Sequence, residues 1–332
     1  MRVVFFGSPP FALPVFARLL DGAHRPLALV TPPDRPRGRG QKLEPSALVE
    51  LARARGVPVL QPASPHTPEF LAELRALAPD VLVVASYGVI MKEELLALAP
   101  FGALNVHASL LPRHRGASPI QAAILAGDAT TGVCVQRMVK ALDEGDVLCS
   151  AERPIGSEET AGELLGALAP LGGEVLVDAL DLLAAGKAVF TPQDGARATY
   201  ARKLKKEHGR LDFARPAAEL ARLIRALHPW PTARCLDPKG RELSILRARV
   251  HGGSPGGGAA ERLGQPGELL AHPGDGLCIA CGEGALDVLE VTPVGKRPMA
   301  AAEFQRGARF APGSRFTSLP PGTPSTAAPA AP

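Results

Sequence analysis

The first 190 residues switch repeatedly between short apolar runs and stretches of helical period, and this alternation limits the fold more than any other feature. Val3–Phe6, Leu27–Val30, Val57–Leu60, Val81–Ala85, Ala103–His107 and Val133–Met138 read as strands. Helical patterns fall between them, near residues 11–20, 45–55, 68–78, 91–98 and 117–126. Short strands that are apolar on both faces belong inside a parallel sheet covered by helices. The pattern predicts an α/β domain with a doubly wound, mostly parallel sheet over residues 1–190. A helix pair near 160–170 and 172–185 is expected to close it. Such sheets keep their ligands beyond the carboxyl ends of the strands.

After that the pattern changes. Residues 191–205 read as a linker, with Pro192–Ala198 at its centre. Residues 206–316 hold one helical stretch near 216–227 and then short runs at Leu243–Val250, Gly267–Leu270, Leu277–Cys281 and Leu286–Thr292. Turn residues separate them, which predicts a small, partly open β-barrel. Gly252–Gly258 is a loop rich in glycine, without the Lys-Ser/Thr and helix of a phosphate-binding loop. Residues 317–332 carry five prolines, no charge and a single large apolar residue, so a disordered and dispensable tail is expected. Two domains also suit a chain of 332 residues.

Several classes drop out. No apolar run reaches the ~20 residues that cross a bilayer. The start reads as a first strand, without the core and cleavage site of a signal peptide. Five widely spaced cysteines, an odd number, suit the reducing cytoplasm. Cys278 and Cys281 have no second pair at zinc spacing and read as buried thiols in a strand; no metal is expected. No Gly-x-Gly-x-x-Gly follows the first strand, so no nicotinamide cofactor is expected either. A net charge of only +4 means that any nucleic-acid footprint must be local.

The chemistry concentrates in two stretches. Asn105-Val106-His107 ends a predicted strand, and a proline-broken loop follows before Pro119 opens a helix. Asn105 and His107 have strand spacing, so their side chains share a face. Alone, such a pair is more often a turn cap and a satisfied edge histidine. The second stretch, Leu142-Asp143-Glu144-Gly145-Asp146, follows the last predicted strand of the domain and alone reads as an acidic surface turn. Together they supply an amide, an imidazole and a carboxylate.

At these residues the chain resembles the methionyl-tRNA formyltransferase family, from the start to about residue 316. The match also takes in Phe6-Gly7-Ser8-Pro9, Pro33-Asp34-Arg35-Pro36, Gly38-Arg39-Gly40, Ser109-Leu110-Leu111-Pro112, Thr199-Tyr200-Ala201 and Pro229-Trp230-Pro231. The resemblance implies a formyltransferase-type Rossmann-like domain and a C-terminal barrel. It implies transfer of a formyl group from 10-formyltetrahydrofolate to the amine of methionyl initiator tRNA, catalysed by Asn105, His107 and Asp143. The folate site would be lined by Ser86, Tyr87, Gly88, Val89 and Ile90 and by Ser109, Leu110, Leu111 and Pro112. A cytoplasmic monomer is expected. His114 departs from the pattern, standing where the family often has tryptophan.

The acceptor rests on two basic segments. In residues 31–43, Arg35, Arg37, Arg39 and Lys42 against Asp34 give +3 in a stretch too rich in proline and glycine for regular structure. Around Lys203, Lys205 and Lys206, five basic residues against Glu207 give +4. A solvated loop and a solvated helix start are the ordinary readings of such runs. The resemblance makes them tRNA contacts, with Arg39 foremost. An amino-sugar-nucleotide formyltransferase would share the trio and need neither segment. A non-catalytic RNA-binding protein would need the segments and leave the trio unexplained.

Overall fold

The structure is a computed structural model and describes residues 1–34, 36–37, 42–252, 263–272 and 276–320. It divides into two compact units. The first comprises residues 1–119, 130–154 and 165–202, and the second comprises residues 120–129, 155–164 and those from Lys203 onward. Two short segments from the first half thus group with the C-terminal half, which a cut by sequence position would not place there.

In chain order, β1 (Val3–Gly7), α1 (Ala12–Leu20) and β2 (Pro26–Val30) come first, and β3 (Pro36–Arg37) and β4 (Lys42–Leu43) form a separate small hairpin. The alternation resumes with α2 (Ala47–Ala54), β5 (Val59–Leu60), α3 (Pro68–Ala76), β6 (Val81–Ala85), α4 (Glu93–Leu96) and β7 (Ala103–His107). β8 (Arg115–Gly116) and α5 (Pro119–Ala126) lead to β9 (Thr130–Arg137), β10 (Val147–Pro154) and α6 (Ala161–Ala184). β11 (Tyr200–Ala201) pairs in parallel with β8.

The main sheet has the order β10-β9-β7-β6-β1-β2-β5. Its members from β7 to β5 are parallel, while β9 runs antiparallel to both β7 and β10. All five residues of β1 and of β6 are buried, as central parallel strands require. Ser46 and Thr67 cap α2 and α3 by accepting the Val49 and Phe70 amide hydrogens, and Pro68 follows the second cap at no hydrogen-bonding cost.

Two expectations about this unit need correction. β10 is an added edge strand, which a search for wholly apolar runs passes over because its residues alternate between exposed and half-buried. The helix pair near 160–185 is one helix, α6, that continues through Pro170. Pro170 is exposed, and the buried stripe of Leu168, Val175, Leu176, Ala179, Leu180 and Leu183 runs past it. Gly172 and Gly173 serve close packing. A Cβ on Gly172 would lie 3.0 Å from Val106, and one on Gly173 2.8 Å from Arg18.

The second unit contains α7 (Ala217–Ala226), β12 (Ala233–Leu236), β13 (Glu242–Val250), β14 (Leu269–Leu270), β15 (Leu277–Ala280), β16 (Ala285–Pro293), β17 (Met299–Ala300) and α8 (Ala301–Ala308). Its sheet is antiparallel in the order β12-β13-β16-β15-β14, with β17 also on β16. Register shifts on either side of Arg247 bend β13 and curl the sheet toward a half-barrel. Leu220, Ile224, Ile245, Ile279 and Phe316 fill its core.

Thr317–Leu319, expected to open a disordered tail, are docked on the second unit. Thr317 exchanges two backbone hydrogen bonds with Leu236, the Ser318 hydroxyl donates to the Leu211 carbonyl at 2.6 Å, and Leu319 is buried. Arg210 holds the Leu319 carbonyl. Composition hides this docking, because it rests on backbone pairing and one leucine. The expected tail beyond Pro320, Gly253–Gly258, Arg35 and Arg39 lie outside the described residues. Cys278 and Cys281 are buried and unbridged, and burial pushes both thiols up to about 12.

Candidate active site

β7 presents Asn105 and His107 on one face, as their spacing requires. Antiparallel pairing then sets Gln136 of β9 opposite Asn105. Asp143 lies in the loop between β9 and β10, and that loop curls back over the pair. Gly145 permits the curl: a Cβ there would lie 1.7 Å from the Arg137 carbonyl oxygen. Asp143 itself holds a left-handed backbone, with φ of 54°.

Among the described residues, the Asp143 carboxylate meets three N–H donors and the imidazole. Oδ1 accepts from Asn105 Nδ2 at 3.3 Å and from Gln136 Nε2 at 2.9 Å. Oδ2 accepts the Gly116 amide hydrogen at 2.8 Å and lies 3.7 Å from His107 Nδ1. His107 is buried, and its Nε2 donates to the His114 carbonyl at 3.0 Å. A carbonyl cannot donate, so Nε2 carries a hydrogen and Nδ1 is the nitrogen that faces the carboxylate. Structure thus brings the three sequence-predicted residues into one contact group within the first unit.

The loop after β7 frames this group. Ser109 is fully buried and donates to the Arg113 carbonyl at 2.7 Å. Thr199 accepts the His114 amide hydrogen at 2.8 Å, and the β8–β11 pairing places Gly116 against Ala201. Gly116 has φ of 115°, and a Cβ there would meet the Ala201 carbonyl oxygen at 2.6 Å, so only glycine serves. His114, buried with φ of 59°, contributes its backbone carbonyl to His107.

The second predicted segment, Ser86 to Ile90, leaves the end of β6, the strand beside β7. Ser86 and Gly88 both have positive φ, 50° and 77°, which turns the chain sharply there. Ser8 donates to the Tyr87 carbonyl at 3.4 Å, and His66 donates to the Ile90 carbonyl at 2.8 Å. Ile90 is 87% exposed and Val89 is also exposed. The Tyr87 side chain does not face the open edge: it packs edge-on against Phe6 in the core, and burial pushes its hydroxyl up to about 12. Leu110, Leu111 and Pro112 are half-buried beside the trio's loop.

Of the basic residues, Lys203, Lys205 and Lys206 are exposed in the second unit, with Lys205 3.4 Å from Glu207. Arg37 and Lys42 are paired in register in the β3–β4 hairpin.

Sequence reasoning missed Gln136, Gln193, Arg115 and Gly116. Gln193 Nε2 lies 2.9 Å from the Asp143 carbonyl, 2.6 Å from the Gly145 carbonyl and 3.1 Å from Gln136 Oε1. Arg115 donates from Nε to Gln193 Oε1 at 3.1 Å and pairs with Glu144 at 3.0 Å. One signal was available: Gln136 is a polar residue inside a predicted apolar strand. No local signal marks Gln193.

Comparisons with known proteins place the chain in a family. The family model described as "Formyl transferase" matches residues 1–180, and the one described as "Formyl transferase, C-terminal domain" matches residues 203–309. The chain is 46% identical over 315 residues to the methionyl-tRNA formyltransferase of Ectopseudomonas mendocina, covering 94% of this chain and 97% of that protein. The chain belongs to the methionyl-tRNA formyltransferase family. It is 48% identical over 310 residues to the family's member from Anaeromyxobacter dehalogenans, covering 93% and 97%. Membership makes the chain an enzyme, a formyl-group transferase of translation initiation. The fold also matches HypX from Aquifex aeolicus, solved in complex with tetrahydrofolic acid, with a TM-score of 0.59 at 19% identity. That match covers 92% of this chain and 46% of HypX, so the chain spans about half of that protein's length.

Proposed function

We propose that Asn105, His107 and Asp143 transfer the formyl group of 10-formyltetrahydrofolate to the free amine of methionyl initiator tRNA. The observation that carries this reading is the contact group itself, in which one carboxylate gathers an amide, an imidazole and a backbone N–H at a strand end. The amine attacks the formyl carbon, a C–N bond forms, and negative charge develops on the formyl oxygen. Asn105 has two amide hydrogens and spends one on Asp143, so the second is available to that oxygen. His107 Nε2–H is held by the His114 carbonyl, so its donation to the oxygen requires that bond to be exchanged. Nδ1 faces Asp143, and a proton taken there from the amine is met by the carboxylate. The C–N bond to folate N10 then breaks, and N10 receives the proton.

Ser86–Ile90 and Ser109–Pro112 border the trio on neighbouring strand ends, which supports a donor pocket there, with Tyr87 contributing backbone only. Arg35, Arg37, Arg39 and Lys42, with Lys203, Lys205 and Lys206, would hold the tRNA backbone, and residues 206–316 would form its binding domain. Among the described residues no helix is long and apolar enough to cross a membrane; the reading places the chain in the cytoplasm, as a monomer.

Single-turnover formylation at saturating charged initiator tRNA tests the trio. His107→Ala and Asp143→Ala should each fall by at least about 10²-fold, the usual cost of a lost transition-state contact. Near-parental rates in either variant would remove that residue from the chemistry.

A further inference from the structure

Arg115, Gln193 and Gln136 form a chain of hydrogen bonds whose direction is fixed. Arginine has no acceptor, so the Gln193 atom facing Arg115 Nε must be oxygen. Gln193 Nε2 then faces Gln136, whose facing atom must in turn be its oxygen. Gln136 is left with Nε2 toward Asp143 Oδ1 at 2.9 Å. An amide is otherwise free to present either end. Here the donor-only guanidinium of Arg115, a residue 5% exposed, settles the orientation of both glutamines, and the second ends on the carboxylate. Gln193 also spans the loop it serves, with its Nε2 among the carbonyls of Asp143 and Gly145. It lies 50 residues from Asp143 in sequence, beyond the end of α6.

We propose that Gln193 is a positioning residue for catalysis. It acts through Gln136 and the Asp143–Gly145 backbone to fix the direction in which the Asp143 carboxylate faces His107 and Asn105. The inference rests on the catalytic role proposed above for Asp143. Gln193 touches no reacting atom in this arrangement, so its effect should appear in turnover and not in binding.

The test compares Gln193→Ala, Gln193→Glu and the double variant Asp143→Ala/Gln193→Ala with the parent and with Asp143→Ala, in the full-length protein. Gln193→Ala should lower kcat by roughly 10–100-fold, the scale set by misplacing a catalytic group by about 1 Å. The KM values for charged tRNA and formyl donor should stay within about threefold. Gln193→Glu keeps the shape and the acceptor for Arg115 but loses both N–H groups, so it should fall as far. It also serves if the alanine variant does not fold. In the Asp143→Ala background, Gln193→Ala should cost nothing further, because a group acting through Asp143 has nothing left to position. Parental kcat in the Gln193 variants beside a strongly impaired Asp143→Ala would overturn the positioning role alone. Multiplying losses in the double variant would assign Gln193 to general stability and also overturn it. Parental turnover in Asp143→Ala would instead overturn the catalytic reading, and the positioning role with it.

Discussion

The Asp143 carboxylate depends on a turn that admits few residues. Gly145 is the clearest case, since any side chain there runs into the Arg137 carbonyl oxygen. Gly145→Ala should therefore displace the loop that carries Asp143. A displacement of about 1 Å costs on the order of 10² in rate, while the buried strands below are untouched. Single-turnover rate and melting temperature, measured together, check this; a parental rate would show that the loop adapts. The site was only partly legible at this scale. Asn105 and His107 were visible because strand spacing alone puts them on one face. Asp143 needed the family resemblance, since a hairpin loop folding back on its own sheet leaves no periodic trace. Gln193 left none, because its contacts join positions dozens of residues apart.

Elements show where charge and burial set boundaries. In the second unit, Thr160 and Glu163 cap the start of α6 reciprocally: the Glu163 amide donates to the Thr160 hydroxyl, and Thr160 donates back to the carboxylate. Arg247 donates to the same carboxylate and, with these bonds, draws it down to about 2. A carboxyl lowered on folding stabilises the native state above its ordinary range near 4.5, and that contribution is lost as pH falls toward about 2. Both side chains are more than a third exposed, so solvent screening holds the ion pair to about 1 kcal/mol or less. Glu163→Gln should lower the melting temperature near neutral pH, with the gap to the parent narrowing at about pH 3. A constant gap would mean that the carboxylate's charge contributes nothing. The C-terminal segment gives a second case. Because Leu319 is buried and Thr317 pairs with Leu236, deleting residues 317–332 should cost about 2–4 kcal/mol, the scale of losing one buried leucine with its backbone bonds. Denaturant unfolding reads this directly, and an unchanged midpoint would show that the docking is superficial. Composition missed it because prolines and alanines dominate the segment and conceal its one anchoring side chain.

For the whole molecule, fold class was legible because the strand–helix alternation of the first half is strong and the second half breaks it. The edge strand β10 was not, because an alternating edge strand resembles a polar loop in sequence. Net charge of +4 leaves tRNA binding to local clusters. The logarithm of tRNA affinity should fall with the logarithm of salt at a slope of roughly −3 to −5, for about four to six phosphates neutralised. Replacing Lys205 and Lys206 together should flatten that slope by up to about two units. Filter binding across salt concentrations measures both, and an unchanged slope would take those lysines off the tRNA path. The central claim is the acceptor, and it is tested most directly by offering the purified protein 10-formyltetrahydrofolate with charged initiator tRNA, charged elongator tRNA or an amino-sugar nucleotide. Formylation of the initiator methionyl-tRNA, at a rate well above either alternative, is the predicted result. Formylation of the sugar nucleotide alone, or tRNA binding without any transfer, would contradict it.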